Sequence, residues 1–446
     1  MRRLAVVLLA LLLAACASVT PRASASRHLV LISLDGLRPE FYLDPTFEAP
    51  ALRALASEGS HARAAESVFP TLTYPSHASI VTGVRPARHG ILFNVLPRAD
   101  GGSRWYEEAA DLRAPALWAW ARAAGLTTAS VSWPSTLGAP IDWLVAERDY
   151  YQRADPLPLL IAASTPGLFA RLGVTPDPAM FKDVPRWDAF LTATASALLR
   201  DVRPNLLLVH LVEADVAQHQ GGREGARVRP AVGRLDRHLA TLRQAVVSAG
   251  IAEHTTMIVT GDHGFQDVRD YVYPNRVLVD AGLRPCPGLA SWRATAHVGG
   301  GSAAVYVNPP GDAATIGRAE EALRREAGGR YVVLSRAELD TMGAMTGAAL
   351  GLEAVPGWAI GSSCDRGLIE PAVGGLVGTH GFLPSRASMA TGFIAAGAGV
   401  RRGVVLDRIR LIDIAPTAAH LLGIPSPPVE GRVLDEIVER PSGAKP

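Results

Sequence analysis

"HLVLISLDG", residues 28–36, is an almost unbroken apolar run that stops at Asp35 and Gly36. A run of this kind, too short for a helix and without polar alternation, reads as a strand buried on both faces. The Asp-Gly at its end puts a carboxylate at the strand's carboxyl edge. Similar runs follow at "TTASVSW" (127–133), "NLLLVHL" (205–211) and "TTMIVTGDHG" (255–264), and later at "SAAVYVN" (302–308) and "ATGFIAAG" (390–397). Helical patterns lie between them, near 47–58, 115–124, 188–200 and 226–249; in the last, Val232, Leu235, Leu239, Leu242 and Val246 recur at the helical period. Strands separated by helices predict an α/β fold, a mainly parallel central sheet with helices on both faces. In open sheets of this class, sites form at the carboxyl ends of strands. Asp35, Asp262 and His263 fall at such ends.

The 446 residues, 48% hydrophobic and 19% charged, suffice for one large α/β domain or two smaller ones and exclude wholesale disorder. The formal net charge is +2, and without Arg2 and Arg3 the basic residues number 42 against 42 acidic. No basic field for duplex nucleic acid is expected. The N-terminal "MRRLAVVLLALLLAACASVTPRASASR" has two arginines and an apolar run, Leu4 to Leu13, too short to span a bilayer comfortably. Residues 1–15 read as a signal peptide. "LAAC", Leu13 to Cys16, resembles the bacterial lipoprotein cleavage box, which would put a lipid on Cys16 and make that lipid the only membrane contact. Cleavage near Ala23 to Ala25 is the alternative, and either route exports the chain. The expected location is the bacterial periplasm, with lipid anchoring to the envelope. Cys286 and Cys364 then remain, and in an oxidising compartment they either pair or stay as two buried thiols. The expected organisation is a tether over 16–26, a catalytic domain over 27–436 with insertions near 150–185 and 275–375, and a disordered tail over 437–446. Nothing in the sequence fixes an oligomeric state.

Four short pieces carry ligand chemistry: "SLDGLRP" with Asp35, "VEADVAQHQGG" with Asp215 and His219, "TGDHGF" with Asp262 and His263, and "VGTHGF" with His380. Three carboxylates and three imidazoles suit zinc or a similar divalent ion. Asp215 and His219, four apart, share one side of a helix and can grip one ion. Each piece alone has an ordinary reading, as a turn, a loop or a solvated helix face. Their conjunction at strand ends predicts a two-metal site. In "SVFPTLTYPSHASIVTG", residues 67–83, Pro70 and Pro75 bracket Thr71 and Thr73 just before a helix-like segment. The hydroxyls there are either helix caps or a nucleophile offered at a helix start.

Taken in order, these pieces resemble the nucleotide pyrophosphatase/phosphodiesterase branch of the alkaline phosphatase superfamily. The likeness extends from Asp35 to "IDIAPTAAHLLGIP" (412–425). It implies an alkaline-phosphatase-like fold and an exported hydrolase of phosphodiester or pyrophosphate bonds, acting on a small phosphodiester or nucleotide substrate. By the resemblance Thr73, followed by Tyr74 and Pro75, is the nucleophile that becomes phosphorylated, and Asn94, 21 residues on, steadies a phosphoryl oxygen. The resemblance also implies two Zn2+ ions, one held by Asp35, Thr73, Asp262 and His263, the other by Asp215, His219 and His380. Thr71 is expected to matter little, and His77 to be structural. Tyr74 and Ser76 stand where many family members carry Phe and Asn. The Lys-x-Arg pair by which the related monoesterases hold a dianionic phosphate does not occur between Trp133 and Asp201, where Lys182 stands alone. That favours a diester, with Arg38 and Arg148 as cations that could still turn inward. Trp133, Tyr74 and Phe93 are candidates for an aromatic slot. The competing readings are a phosphomonoesterase or phosphonate hydrolase on the same site, and an inactive envelope-anchored binding protein.

Overall fold

The computed structural model describes residues 28–97, 102–151 and 153–439; the leader, Cys16, the tether and residues 440–446 lie outside these. The strand His28–Leu34 occupies the middle of a nine-stranded sheet. It pairs in parallel with Leu206–Leu211 on one side and Thr255–Thr260 on the other, and Thr128–Val131 and Trp143–Val145 extend the parallel part. The unbroken apolar run now has its reason. Val30 and Ile32 face a core shared with the helices Val184–Ala197 and Val228–Ser248, while Leu29 and Leu31 face a second core with Leu117–Ala123 and Ile414–Leu422. Alternate residues serve opposite layers, so the strand is apolar nearly throughout, and its one buried hydroxyl, Ser33, is paired with His77.

The fold is the expected α/β class, with one reversal inside the sheet. Thr391–Gly397 runs antiparallel between Thr255–Thr260 and Ser60–Glu66. The strand Ser60–Glu66, "SHARAAE", is too polar to be read as a strand, because it lies near the sheet's edge beside the short Val405–Leu406 and Ile409–Arg410.

The strand at 302–308 does form, but outside the central sheet. Ser302–Val307 belongs to a four-stranded antiparallel sheet with Ala294–Gly299, Leu350–Ala354 and Tyr331–Leu334, which has its own core around Val305, Leu323 and Leu352. A second small sheet, built on Gln266–Val272, includes Val377–Thr379. Cys286 and Cys364 form a disulfide, which resolves the choice between pairing and free thiols. The expected tail starts too early at 437. Ile437 is buried, Val438 bridges Val400, and the Glu439 N–H donates to the Gly399 carbonyl, so the packed chain reaches at least residue 439.

Candidate active site

Three neighbouring parallel strands end at one level, and this brings most of the acidic residues together. The Asp35 N–H donates to the Leu211 carbonyl at 2.8 Å, which aligns the end of His28–Leu34 with that of Leu206–Leu211. Asp215 then lies in the first turn of the helix Glu213–Gly221, with His219 one turn on. Asp262 and His263 leave Thr255–Thr260 directly. The His380 loop comes from the small sheet and packs against this helix so closely that a Cβ at Gly378 would sit 2.4 Å from the Gln218 carbonyl oxygen. Only glycine permits that approach.

The donors form two adjoining clusters. In the inner one, His263 Nε2 lies 3.4 Å from Asp35 Oδ1 and 3.1 Å from Asp262 Oδ2. In the outer one, His219 Nε2 lies 3.4 Å from Asp215 Oδ1 and 3.2 Å from His380 Nε2. The His263 and His380 rings stack at 3.6 Å between the two clusters. Each of the three rings is anchored through Nδ1: His219 on the Gly378 carbonyl, His380 on that of Thr71 and His263 on that of Gly264. With Nδ1–H donating outward, all three Nε2 lone pairs turn inward. His263 belongs to both groupings, lying with Asp35 and Asp262 and also with Asp215 and His380.

A cation fits this arrangement on grounds internal to the structure. Asp35 Oδ1, Asp215 Oδ1 and Asp262 Oδ2 are buried and have no hydrogen-bond partner. In two of the three the sister atom is engaged: Asp35 Oδ2 faces His210 Nε2 at 3.0 Å, and Asp262 Oδ1 accepts the Gly36 N–H at 3.0 Å. Buried carboxylate oxygens without partners, facing imidazole lone pairs, are costly unless positive charge lies between them. The pKa shifts of four of these groups agree. Burial, with Asp215 adding to it, pushes Asp35 well above the usual carboxylate range, and burial with Asp35 does the same to Asp262. Burial and the adjacent imidazoles press His263 well down and His380 to about 4. An oxygen and nitrogen donor set of this kind suits zinc or a similar divalent ion.

Thr73 opens the helix Thr73–Thr82, with Leu72 extended before it and Pro75 tolerated in the first turn. Its hydroxyl lies 3.4 Å from His263 Nε2. The Tyr74 N–H donates to Asn94 Oδ1 at 3.0 Å. Asn94 therefore caps the helix through its carbonyl and keeps its NH2 for another partner. Thr71 has a positioning role that the sequence did not show. Its hydroxyl donates to the Phe382 carbonyl and accepts the Gly381 N–H, and its own carbonyl holds His380. His77 is buried, bridging the Thr73 carbonyl and the Ser33 hydroxyl at 2.8 Å each.

Several expectations about the rim change. Tyr74, Phe93 and Trp133 are all buried, packed on Trp105, His297 and His77 respectively, so they do not form an open slot. Neither candidate arginine turns inward. Arg38 is fully buried and paired with Glu224, and Arg148 is held by Glu107 at 3.0 Å. Three further residues join the site without a signal in the motifs. His210 orients Asp35, Asp188 accepts the Val212 and Glu213 N–H groups ahead of Asp215, and Glu147 accepts the Tyr74 hydroxyl. A histidine inside the otherwise apolar "NLLLVHL" was the one available clue.

Residues 29–341 match the family model described as Type I phosphodiesterase / nucleotide pyrophosphatase. The chain belongs to this family. Among curated relatives, human ectonucleotide pyrophosphatase/phosphodiesterase family member 1 is 24% identical over 265 residues, 56% of this chain and 25% of that protein. Venom phosphodiesterase 2 of Crotalus adamanteus is 24% identical over 247 residues, 54% of this chain and 27% of that protein. The aligned part thus spans about a quarter of each of these relatives. Human ectonucleotide pyrophosphatase / phosphodiesterase 5 superposes with a TM-score of 0.69 at 19% identity, covering 93% of this chain and all (100%) of that one. An inactive form of the murine protein, solved in complex with AMP, gives 0.68 at 18% identity, covering 93% and 100%. These superpositions identify the fold as that of the family.

Proposed function

We propose that the chain is an exported phosphodiesterase or nucleotide pyrophosphatase that binds two zinc ions and works through a phospho-threonine at Thr73. The reading rests on one observation above all, the three partnerless carboxylate oxygens and three inward imidazole nitrogens gathered beside the Thr73 hydroxyl. Asp35, Thr73, Asp262 and His263 would hold one ion, and Asp215, His219 and His380 the other. When bound, the ions supply Lewis acidity that favours the threonine alkoxide and offsets charge on the leaving oxygen. Thr73 Oγ1 forms a bond to phosphorus as the bond to the leaving oxygen breaks, and the leaving group departs with that electron pair. Water then attacks the phosphoryl group and Thr73 is released. The Asn94 NH2, turned away from the helix by its cap to Tyr74, donates to a phosphoryl oxygen as charge grows there.

The names of the human and venom relatives support a phosphodiester or pyrophosphate bond, and the AMP complex of the murine protein supports a small nucleotide. The placement of Arg38, buried beside Glu224, and of Arg148, bonded to Glu107, weighs against a monoesterase, since each already faces a carboxylate. The apolar leader, the "LAAC" box and the Cys286–Cys364 disulfide support export to an oxidising compartment with a lipid on Cys16. The test is a matched panel of bis-aryl phosphate, aryl monophosphate, dinucleotide and nucleoside triphosphate, run with metal analysis on the same preparation. Zinc-loaded protein that cleaves no diester or pyrophosphate sinks the reading.

A further inference from the structure

The two clusters meet at one residue of the first strand's exit. The Gly36 N–H donates to Asp262 Oδ1 at 3.0 Å, and the Gly36 carbonyl accepts from Gln218 Nε2 at 3.0 Å. Gly36 follows Asp35, and Gln218 precedes His219. One residue therefore touches an inner carboxylate on one side and the helix of the outer ligands on the other. Its backbone is left-handed, with φ +68°, and a Cβ there would sit 2.8 Å from Gln218 Nε2. Only glycine allows that contact. The other amide hydrogen of Gln218 goes to the Ala214 carbonyl at 3.1 Å, so Nε2 lies between two carbonyl oxygens and the amide can be oriented only this way. Gln218 Oε1 is buried without a hydrogen-bond partner. An apolar side chain of the same length would fill this fully buried position without leaving an acceptor unpaired. Packing alone does not account for the amide, whereas its two N–H donors do.

We propose that Gln218 is a positioning residue that, through the Gly36 backbone, fixes where Asp215 and His219 stand relative to Asp35 and Asp262, and so sets the spacing of the two ions. The inference rests on the two-zinc reading, but it can fail separately. The helix Glu213–Gly221 has other fastenings. Just beyond its end, Glu224 pairs with Arg38 at 2.6 Å, the Arg223 guanidinium pairs with Glu40, and the Arg223 N–H donates to Asp267 Oδ1 at 2.6 Å. Loss of the amide therefore loosens the Asp215–His219 turn while the helix stays docked. The reaction tolerates little such movement, since a misplacement of about 1 Å costs up to 10²-fold in rate.

The experiment compares wild type with Gln218→Met, which keeps the length and volume of the side chain but has no donor, and with Gln218→Ala, which loses both. Calorimetric titration of metal-stripped protein with zinc reads the two binding steps without turnover, and melting temperature checks the fold. In both variants the second, weaker zinc should bind about tenfold less tightly, the scale for losing a group that orients metal ligands. The first should be unchanged. At saturating zinc, kcat for an aryl phosphodiester should fall by about 10–10²-fold, with KM moving much less. If Gln218→Ala unfolds, Gln218→Met decides. A Gln218→Met protein with wild-type zinc steps and kcat shows that the position needs only volume, and overturns the role whatever alanine does. A wild type that binds two zinc ions beside such a variant leaves the two-zinc reading intact. A wild type that takes up fewer than two removes that reading and the role of Gln218 together.

Discussion

The inner and outer clusters contain the same kinds of donor but are built differently. Asp35, Asp262 and His263 sit at strand ends with side chains at most 5% exposed, and their spacing is set by the register of adjacent parallel strands. Asp215, His219 and His380 have side chains 15%, 39% and 7% exposed, and they come from a helical turn and from the loop after a separate small sheet. The inner cluster is therefore fixed by the backbone of the main core. The outer one exists only while two independently built parts stay docked. An ion in the inner cluster should exchange slowly, and one in the outer cluster should be the first to leave.

Thr73→Ala should have the largest effect, abolishing turnover while both ions remain, because it removes the attacking oxygen and only one metal contact. If such a variant kept its turnover, the nucleophile would lie elsewhere. Next, Asp262→Ala should empty the inner cluster and end activity, while His219→Ala should reduce the metal content from two ions to one. Metal analysis after gel filtration reads both. If His219→Ala lost both ions, or Asp262→Ala kept both, the two clusters would be one cooperative unit and the contrast would break. Asn94→Ala should lower turnover by about 10²–10³-fold, the scale for one oxyanion donor. Asn94→Asp should lose turnover similarly but keep the helix cap, so its melting temperature should stay nearer wild type than that of the alanine variant, which loses about 1 kcal/mol. Thr71→Ala should have the smallest effect, raising the zinc concentration needed for half-maximal activity several-fold with little change in kcat at saturating zinc. An unchanged zinc requirement would mean that the Thr71 tether does not set the geometry of His380.

The difference between the clusters is also the difference between what the sequence makes legible and what it hides. Asp35, Asp262 and His263 announce themselves because an apolar run that ends in Asp-Gly or Asp-His marks a strand end, and strand ends converge. His380 sits in a Gly-rich stretch without such a frame, so its residue type marks it as a candidate ligand and only the family resemblance assigns it to a particular ion. Asp188 and Glu147 lie in a helix and a strand exit whose local patterns are ordinary, and their roles arise from contacts with residues 24 and 73 positions away. The same limit explains the antiparallel Thr391–Gly397, since an apolar run fixes burial but not direction. The aromatic slot failed for a related reason. Three rings near a motif in sequence were taken up by packing, which hydrophobicity alone does not separate from ligand binding.

The antiparallel strand also has a consequence in time. Ser60–Glu66 is among the first segments to be synthesised, yet the neighbour that joins it to the rest of the sheet, Thr391–Gly397, is among the last. Until that strand emerges, the early one has no place beside Thr255–Thr260, and the sheet stays open along that seam. His380 arrives only shortly before it. A nascent chain of this topology cannot complete its sheet, or bring His380 to the outer cluster, while most of it is still being made.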